Sequence, residues 1–472
     1  MPTIVVLLAS VIVMTLVLLD EGRANQTRTP LPPPAERLVL DLPGDPRRPV
    51  KLRVPVVFPP GSGPFPLAIW NHGSNGSGGT MDENTVSQNM GVYYLLSRGY
   101  AVAMPLMRGF GNSGDGIHNT GCRLDDLGRD AAADVLAVID PLAKQHKIDA
   151  SRIVVAGSSF GGWNALAIGT FRDARIAAII NFYGGVHSSA CRDHQKPLIE
   201  SSRRFGQSSR VPSLWLYGSN DQIFPKPLWQ AMYRAYTEQG GRADIVDFGQ
   251  FRTDSHKLLG DPSATELFAG PVDRFLAGLG LPGKKINSEY LPSEPPPATH
   301  YAAIDDIGAV PFLNARGQEI YKKFLSAPSP KALVIAPKSL MVAEYGGFDP
   351  LARAMAACQK NGATCWPYAV NDIVVWAHPT PSPPPTHFAR LEDTAAVPYV
   401  DAAGKTAYGR FLTAPRPRAF VIGPDGSWSM AVGERDPVAA ALATCGDPKR
   451  VTCQPYAVDG TIVWPASEAA AH

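Results

Sequence analysis

Short apolar runs alternate with longer amphipathic stretches between residues 37 and 281. The runs are too short for buried helices, so they predict buried strands at 51–58, 67–70, 101–105, 153–156, 176–183, 213–217 and 245–248. The amphipathic stretches predict helices at 125–144, 225–238 and 265–279. Buried strands that alternate with helices indicate the α/β class, with a mostly parallel sheet covered by helices on both faces.

The rest of the chain is an internal duplication. Matching segments lie 87 or 88 residues apart, namely 324–328 and 411–415, 367–370 and 455–458, and Trp376 and Trp464. Each copy contains one close cysteine pair, Cys358 with Cys365 and Cys445 with Cys453. Because a small unit has little core, a disulfide within each copy is expected. We therefore predict two small α+β repeats.

Proline-rich stretches separate these units, because proline fixes φ and removes a backbone donor. They lie at 30–34, 292–297 and 379–385. The predicted organisation is a signal peptide or anchor at 1–24, an α/β domain at 37–281, a linker at 282–298, repeat 1 at 299–376, a second linker at 377–385, and repeat 2 at 386–465.

Composition and the first residues indicate an exported globular protein. Of the 472 residues, 45% are hydrophobic and 18% charged, which is ordinary for a protein with a sizeable core. The net charge is +2 and the basic residues are scattered, so no nucleic-acid partner is expected. The apolar run 4–19, followed by Gly22 and Ala24, predicts an export signal, with a retained anchor as the alternative. A periplasmic or secreted location fits the even number of cysteines, which suggests disulfides.

The segment Gly157-Ser158-Ser159-Phe160-Gly161 joins a predicted strand to a helix-compatible stretch. A nucleophile elbow requires this order of strand, tight turn and helix. Small residues are needed two positions before and after the nucleophile, because strand and helix crowd there, and Gly157 and Gly161 meet that need. We therefore predict Ser159 as a nucleophile.

Two downstream residues complete the predicted catalytic set. Asp221 follows the strand at 213–217, and His256 follows the strand at 245–248. Taken alone, Asp221 could serve a turn and His256 could be a solvated loop histidine. The order Ser, Asp, His across one α/β unit favours a triad in which Asp221 orients His256 and His256 takes the proton of Ser159.

Backbone donors for an oxyanion are also predicted. His72, Gly73 and Ser74 follow the strand at 67–70, so the N–H of Ser74 could be one donor. The N–H of Phe160, at the start of the elbow helix, would be the other. The glycine-containing segment 108–114 lacks the pattern of a phosphate loop, and we expect it to line the cleft.

The polar insertion at 184–208 follows a strand at the predicted catalytic edge and could form a small lid. Cys122 and Cys191 lie on two loops at this edge, and we predict that they form a disulfide. His187 and His194 in the insertion are expected to be polar groups at the rim rather than ligands. We predict no metal and no cofactor.

Because of these motifs, residues 37–281 resemble a serine-nucleophile α/β-hydrolase of the dienelactone-hydrolase-like and prolyl-oligopeptidase-like branch. The motifs that carry the resemblance are 71–74, 108–113, 157–162, 218–221 and His256. The resemblance implies an α/β-hydrolase fold. Dienelactone hydrolases carry a cysteine where Ser159 stands, which speaks against dienelactone hydrolysis.

These observations predict an exported serine hydrolase that cleaves carboxylic esters through an acyl-enzyme. A peptidase or acyl-peptide hydrolase with the same triad is one alternative. An envelope-binding protein with a vestigial hydrolase unit is the other. The expected partners are a small or polymer-linked ester and a cell-envelope component that binds the repeats.

Overall fold

The computed structural model describes residues 36–465, apart from 75–81, 83–85, 87–88, 112, 115, 117–119, 189, 347, 361 and 447–451. The predicted signal peptide or anchor at 1–24 lies outside the described residues. Within them, every helix is too short or too polar to cross a membrane.

An eight-stranded sheet forms the centre of the α/β domain, with the order β1-β2-β4-β3-β5-β6-β7-β8. Strand β2 is antiparallel to both neighbours, and the pairs from β4 to β8 are parallel. The strands are β1 (Glu36–Pro43), β2 (Lys51–Phe58), β3 (Phe65–Asn71), β4 (Ala101–Ala103), β5 (Ile148–Ser158), β6 (Ile176–Phe182), β7 (Ser213–Tyr217) and β8 (Ala243–Asp247). Every predicted strand overlaps one of them, and the sequence pattern missed β1. This arrangement is the α/β-hydrolase fold, as predicted.

Helices cover both faces of the large sheet. They are α1 (Met90–Ser97), α2 (Leu124–Ala137), α3 (Ile139–Ala143), α4 (Phe160–Ile168), α5 (Gln195–Ser208), α6 (Lys226–Thr237) and α7 (Thr265–Gly278). The single helix predicted at 125–144 is two helices. Pro141 explains the break, because it has no N–H to donate to the carbonyl of Ala137, where α2 ends.

The insertion at 184–208 is not wholly a loop, because its second half is the amphipathic helix α5. This helix buries Leu198 and Phe205, and the Phe205 ring packs 4.8 Å from the Trp163 ring of α4. Arg204 of α5 also forms an ion pair of 2.7 Å with Asp125 of α2. The insertion is therefore anchored on the helices that flank the elbow.

Each repeat folds into a four-stranded antiparallel sheet with helices. The sheets have the matching orders β10-β9-β11-β12 and β14-β13-β15-β16. Repeat 1 contains α8 (Ala315–Ser326), β9 (Lys331–Ala336), β10 (Leu340–Tyr345), α9 (Pro350–Gln359), β11 (Trp366–Val370) and β12 (Ile373–Val374). Repeat 2 contains α10 (Ala402–Thr413), β13 (Arg418–Ile422), β14 (Trp428–Val432), α11 (Pro437–Ala443), β15 (Gln454–Val458) and β16 (Thr461–Ile462). The predicted α+β repeats are confirmed.

A buried cation caps the C-terminus of the first helix of each repeat in the same way. Lys331 Nζ donates to the carbonyls of Phe324 and Leu325 at 3.0 and 3.2 Å. Arg418 Nη1 donates to the carbonyl of Phe411 at 2.6 Å. Both cations donate to carbonyls of the last helical turn, which lack the i+4 N–H partner found in a helix interior. The duplication therefore extends to individual side-chain roles.

Three disulfides join the six cysteines in the predicted pairs. They are Cys122–Cys191, Cys358–Cys365 and Cys445–Cys453. Disulfides persist in oxidising compartments, so they are suggestive of an exported protein.

Candidate active site

Ser159 lies in a sharp turn between β5 and α4. Its φ of 54° is in the left-handed region, which is unusual for a residue with a side chain. The turn is held by hydrogen bonds from Ser159 N to Phe182 O at 3.0 Å and from Trp163 N to Ser159 O at 3.0 Å. Local strain that is held by surrounding contacts is typical of functional positions.

The two glycines around Ser159 are required by close backbone contacts. A Cβ added to Gly157 would lie 2.4 Å from the carbonyl oxygen of Gly161. A Cβ added to Gly161 would lie 2.0 Å from the carbonyl oxygen of Asn71. These distances are too short for any side chain, so the geometry agrees with the crowding predicted for a nucleophile elbow.

The neighbouring serine has a different environment. Ser158 hydrogen-bonds the side chain of Tyr183, whose hydroxyl has its pKa raised by burial. Tyr183 directly follows β6, the strand beside β5. Ser158 therefore has a structural partner, which leaves Ser159 as the candidate nucleophile.

Asp221 and His256 are hydrogen-bonded to each other. Asp221 Oδ2 lies 2.9 Å from His256 Nδ1. The other carboxylate oxygen, Oδ1, accepts from the backbone N–H groups of Ile223 and Phe224, each at 2.8 Å. The Asp221 side chain is fully buried and that of His256 is 10% exposed. This arrangement can hold the imidazole in one orientation, with Nδ1 toward the carboxylate and Nε2 available.

The elbow and the histidine meet at one edge of the sheet. Ser159 follows β5, Asp221 follows β7 and His256 follows β8, and these strands are parallel. The end of β6 bridges them, because the Tyr183 ring lies 4.7 Å from the His256 ring. The structure therefore places the three predicted residues at the carboxyl ends of the strands, the usual position of ligand sites in α/β sheets.

Asp254 is a positioning residue that the sequence did not reveal. Its Oδ1 accepts from the backbone N–H of His256 at 3.0 Å and from that of Gln222 at 3.2 Å. One carboxylate thus joins the loop of Asp221 to the loop of His256. An aspartate two residues before a histidine is also an ordinary helix cap, so the sequence offered no distinguishing signal.

His72 is a buried, neutral histidine behind the elbow. Burial lowers its pKa to about 4. Its Nε2 accepts from the N–H of Met107 at 3.1 Å, so the proton is on Nδ1, which donates to Gly73 O at 2.7 Å. His72 therefore holds the carbonyl of Gly73 in place and cannot act as an acid at neutral pH.

The peptide after Gly73 is thereby oriented next to the elbow. In a trans peptide the N–H points opposite to the carbonyl, so the N–H of Ser74 points away from His72. A Cβ added to Gly73 would lie only 3.3 Å from the Cβ of Ser159. The predicted oxyanion donors Ser74 and Phe160 therefore lie on segments that adjoin Ser159 from two sides.

Two residues of the segment 108–114, Arg108 and Phe110, pack near His72 and the candidate oxyanion loop. Arg108 forms a buried two-point ion pair with Asp134, with distances of 2.9 and 2.8 Å. The Phe110 ring lies edge-on to His72 at 4.9 Å. Arg108 and Phe110 therefore pack behind the candidate oxyanion loop, and Arg108 is used in the core rather than for a ligand.

A comparison with sequence families gives one partial match. The model of the prolyl oligopeptidase family matches residues 86–207. The match includes Ser159 but ends before Asp221 and His256. It confirms the predicted resemblance to a serine α/β-hydrolase of this branch. No curated protein sequence matches the chain.

Similar solved structures include peptidases and an esterase. A puromycin-hydrolyzing peptidase from Mycobacterium tuberculosis is 19% identical with a TM-score of 0.39, over 52% of this chain and 40% of that one. An acylaminoacyl peptidase from Pyrococcus horikoshii is 16% identical with a TM-score of 0.38, over 52% and 41%. An esterase from Pyrococcus furiosus is 18% identical with a TM-score of 0.37, over 52% and 93%. The chain thus spans about two fifths of the length of the two peptidases. Likeness at this level gives no information about the substrate.

Proposed function

We propose that the chain is an exported esterase in which Ser159 forms an acyl-enzyme. One observation carries the proposal: the strained Ser159 turn lies at the same sheet edge as the hydrogen-bonded pair Asp221 and His256. The three side chains have no shared structural purpose that would bring them to this edge.

In the proposed reaction, the hydroxyl of Ser159 attacks the ester carbonyl while His256 Nε2 takes its proton. Asp221 keeps the imidazole oriented and stabilises its cation. The N–H groups of Ser74 and Phe160 would bind the developing oxyanion. His256 then gives the proton to the leaving alcohol, and a water activated by the same histidine releases the acid.

The second candidate function is amide cleavage, and the partial match to the prolyl oligopeptidase family favours it as the alternative. Nitrophenyl esters and aminoacyl nitroanilides, assayed side by side, separate the two. We expect ester turnover without amide turnover. Ser159→Ala should lower ester turnover about a millionfold, whereas Ser158→Ala, the matched control, should keep most of the ester turnover. Loss of turnover only in Ser158→Ala would show that Ser158 and not Ser159 is the nucleophile. If the wild type cleaved neither esters nor amides, a vestigial hydrolase unit would be favoured.

We further propose that the repeats attach the enzyme to a polymeric ester or an envelope component. The observation behind this is that every candidate catalytic residue lies before residue 282. Tethering raises the local substrate concentration without changing the chemistry.

A truncated chain tests this proposal. The cut should follow residue 291, because Tyr290 is buried and the backbone N–H of Ile286 donates to Ser97 O at 2.9 Å. The truncated chain should keep its turnover on a small soluble ester and lose retention on cell-envelope material. A truncated chain that is folded yet inactive on the small ester would show that the repeats contribute to the active site.

A further inference from the structure

The described residues of the segment 184–194, which follows β6, form one wall of the candidate active site. It runs directly over the elbow, where Gly185 N donates to Ser159 O at 3.1 Å. On its other side the segment contacts Phe224, since a Cβ added to Gly185 would lie 2.5 Å from that ring. Residues that follow Gly185 are therefore placed beside the nucleophile.

A continuous row of rings leads from this wall to the candidate catalytic histidine. The His194 and His187 rings lie 3.8 Å apart, and His187 lies edge-on to Phe224 at 5.3 Å. Phe224 in turn lies 5.5 Å from His256. Phe224 is buried, His194 is half-buried and His187 is exposed. The two imidazoles are thus the solvent-facing end of the row.

This wall is fixed to the rest of the domain at several points. Cys191 lies between the two histidines in sequence, and its disulfide with Cys122 ties the segment to the loop before α2. Beyond His194, helix α5 is held on α2 by the ion pair between Arg204 and Asp125. The imidazole pair is therefore preorganised beside the site, and the predicted lid is better described as a wall.

The exposed ring of His187 gives the wall an aromatic surface. His187 is exposed on one side and packed against His194 and Phe224 on the other. This partial burial, followed by the proximity of His194 and His256, lowers the pKa of its imidazole and favours its neutral form. A neutral imidazole offers a flat π face with little electrostatic preference for anions. Flat rings pack best against other flat rings, in offset or edge-to-face arrangements.

The position beside His256 decides which part of an ester this surface meets. In ester hydrolysis the protonated histidine must deliver its proton to the oxygen of the leaving alcohol. The alcohol portion therefore lies on the His256 side of the site, where the row of rings ends.

We propose that His187 and His194 form a stacking subsite for a planar aromatic group on the alcohol portion of the ester. This inference rests on the proposed ester hydrolysis and names the substrate class of the same site. It assigns His187 a specificity-determining role that goes beyond that of a polar group at the rim.

Matched esters test the subsite. Benzyl acetate and cyclohexylmethyl acetate carry rings of similar size, one planar and aromatic and the other puckered and saturated, so the loss of any preference in His187→Ala is the diagnostic result. The wild type should favour benzyl acetate in kcat/KM by about two- to tenfold, the range of one aromatic contact. His187→Ala should remove the preference and His187→Phe should retain it. His146→Ala is the control, because His146 is exposed in the turn before β5, at the opposite edge of the sheet.

Each other outcome counts against a defined part of the inference. Hydrolysis of both acetates at equal kcat/KM, or a preference that survives His187→Ala, would overturn the subsite and leave the proposed function standing. Methyl phenylacetate and methyl cyclohexylacetate carry the ring on the acyl portion of the ester, so they test whether the subsite binds that portion instead. A preference there that His187→Ala removes would overturn the assignment to the alcohol. If no ester is cleaved, the proposed function fails and the subsite fails with it.

Discussion

Repeat 1 docks on the α/β domain and repeat 2 docks on repeat 1 through equivalent positions. Ser293 in the first linker donates to Asp349 at 2.8 Å, and Thr380 in the second linker donates to Asp436 at 2.5 Å. Both aspartates also cap the helix that follows, α9 or α11. The two linkers are therefore bound to the repeats they precede, although their proline content alone indicated only spacers.

The residue before each aspartate makes the contact with the preceding module, and here the junctions differ. Phe348 packs edge-on against Tyr93 of α1, with ring centroids 5.1 Å apart. At the equivalent position, Arg435 lies over Trp366 and Trp376 of repeat 1, at 4.6 and 5.0 Å from the ring centroids. The contact made by Phe348 is between aromatic rings, whereas the contact made by Arg435 is a cation–π contact.

The second junction also contains a buried polar cluster. His378 Nε2 lies 2.8 Å from Asp459 Oδ2, which also accepts from the Tyr301 hydroxyl at 3.0 Å. The other oxygen of Asp459 accepts from Arg418 N at 2.9 Å. Burial opposes the charged form of both partners, yet their mutual contact raises the pKa of His378 and lowers that of Asp459.

The first junction is looser. Beside Phe348 lies a cavity of about 1150 Å³, bounded by α7, the first linker and α9. Equivalent positions in the two repeats, Phe348 and Arg435, therefore make contacts of different physical type. The contacts of Arg435, His378 and Asp459 should therefore respond to charge and pH, whereas the contact between Phe348 and Tyr93 should not.

The largest expected effect is that of Asp459→Ala. The change leaves His378, Tyr301 and the N–H of Arg418 without their partner in a buried site, which typically costs about 3–5 kcal/mol. Hydrogen exchange should show faster opening of β13 and β15. Peptides from the α/β domain serve as the internal control. Unchanged protection of repeat 2 would contradict the role of this cluster.

A smaller effect is expected for Phe348→Ala. An aromatic contact of this kind contributes about 1 kcal/mol, so α9 should open more easily by that amount. The loss should be independent of pH, and Phe348→Leu should restore most of it. A loss that changes with pH would contradict a purely aromatic contact at Phe348.

The smallest expected effect concerns the pH dependence of the second junction. Because the pKa of His378 is raised on folding, its contribution is complete below the unfolded value of about 6.5 and is lost as the pH rises through the folded value. The lowered pKa of Asp459 matters only at acid pH, so it does not interfere above about pH 5. Urea unfolding of wild type and His378→Gln should therefore converge at alkaline pH. A constant difference between pH 5 and 9 would reject this titration.

Much of the site could be predicted because its parts are local motifs. Gly157, Ser159 and Gly161 define a turn that few other purposes require. Asp221 and His256 each follow a strand that the apolar pattern reveals. Their chemistry and their order along the chain could therefore be read directly.

The features that sequence could not reveal depend on contacts between distant segments. Asp254 joins two loops only once β7 and β8 are adjacent. The close contact between the His187 and His194 rings depends on where α5 and the disulfide hold the segment. The docking of Arg435 on repeat 1 depends on how two copies stack, and neither copy alone encodes that contact in a recognisable pattern.

In the proposed reaction, Ser159 carries the acyl group. The most direct measurement is mass spectrometry of the full chain after rapid acid quench with a nitrophenyl acetate, followed by mapping of the modified peptide. We expect an acetyl group on the peptide that contains Ser159, absent from Ser159→Ala and present in Ser158→Ala. An acetyl group that persists in Ser159→Ala, or ester turnover in that variant at the wild-type rate, would contradict it.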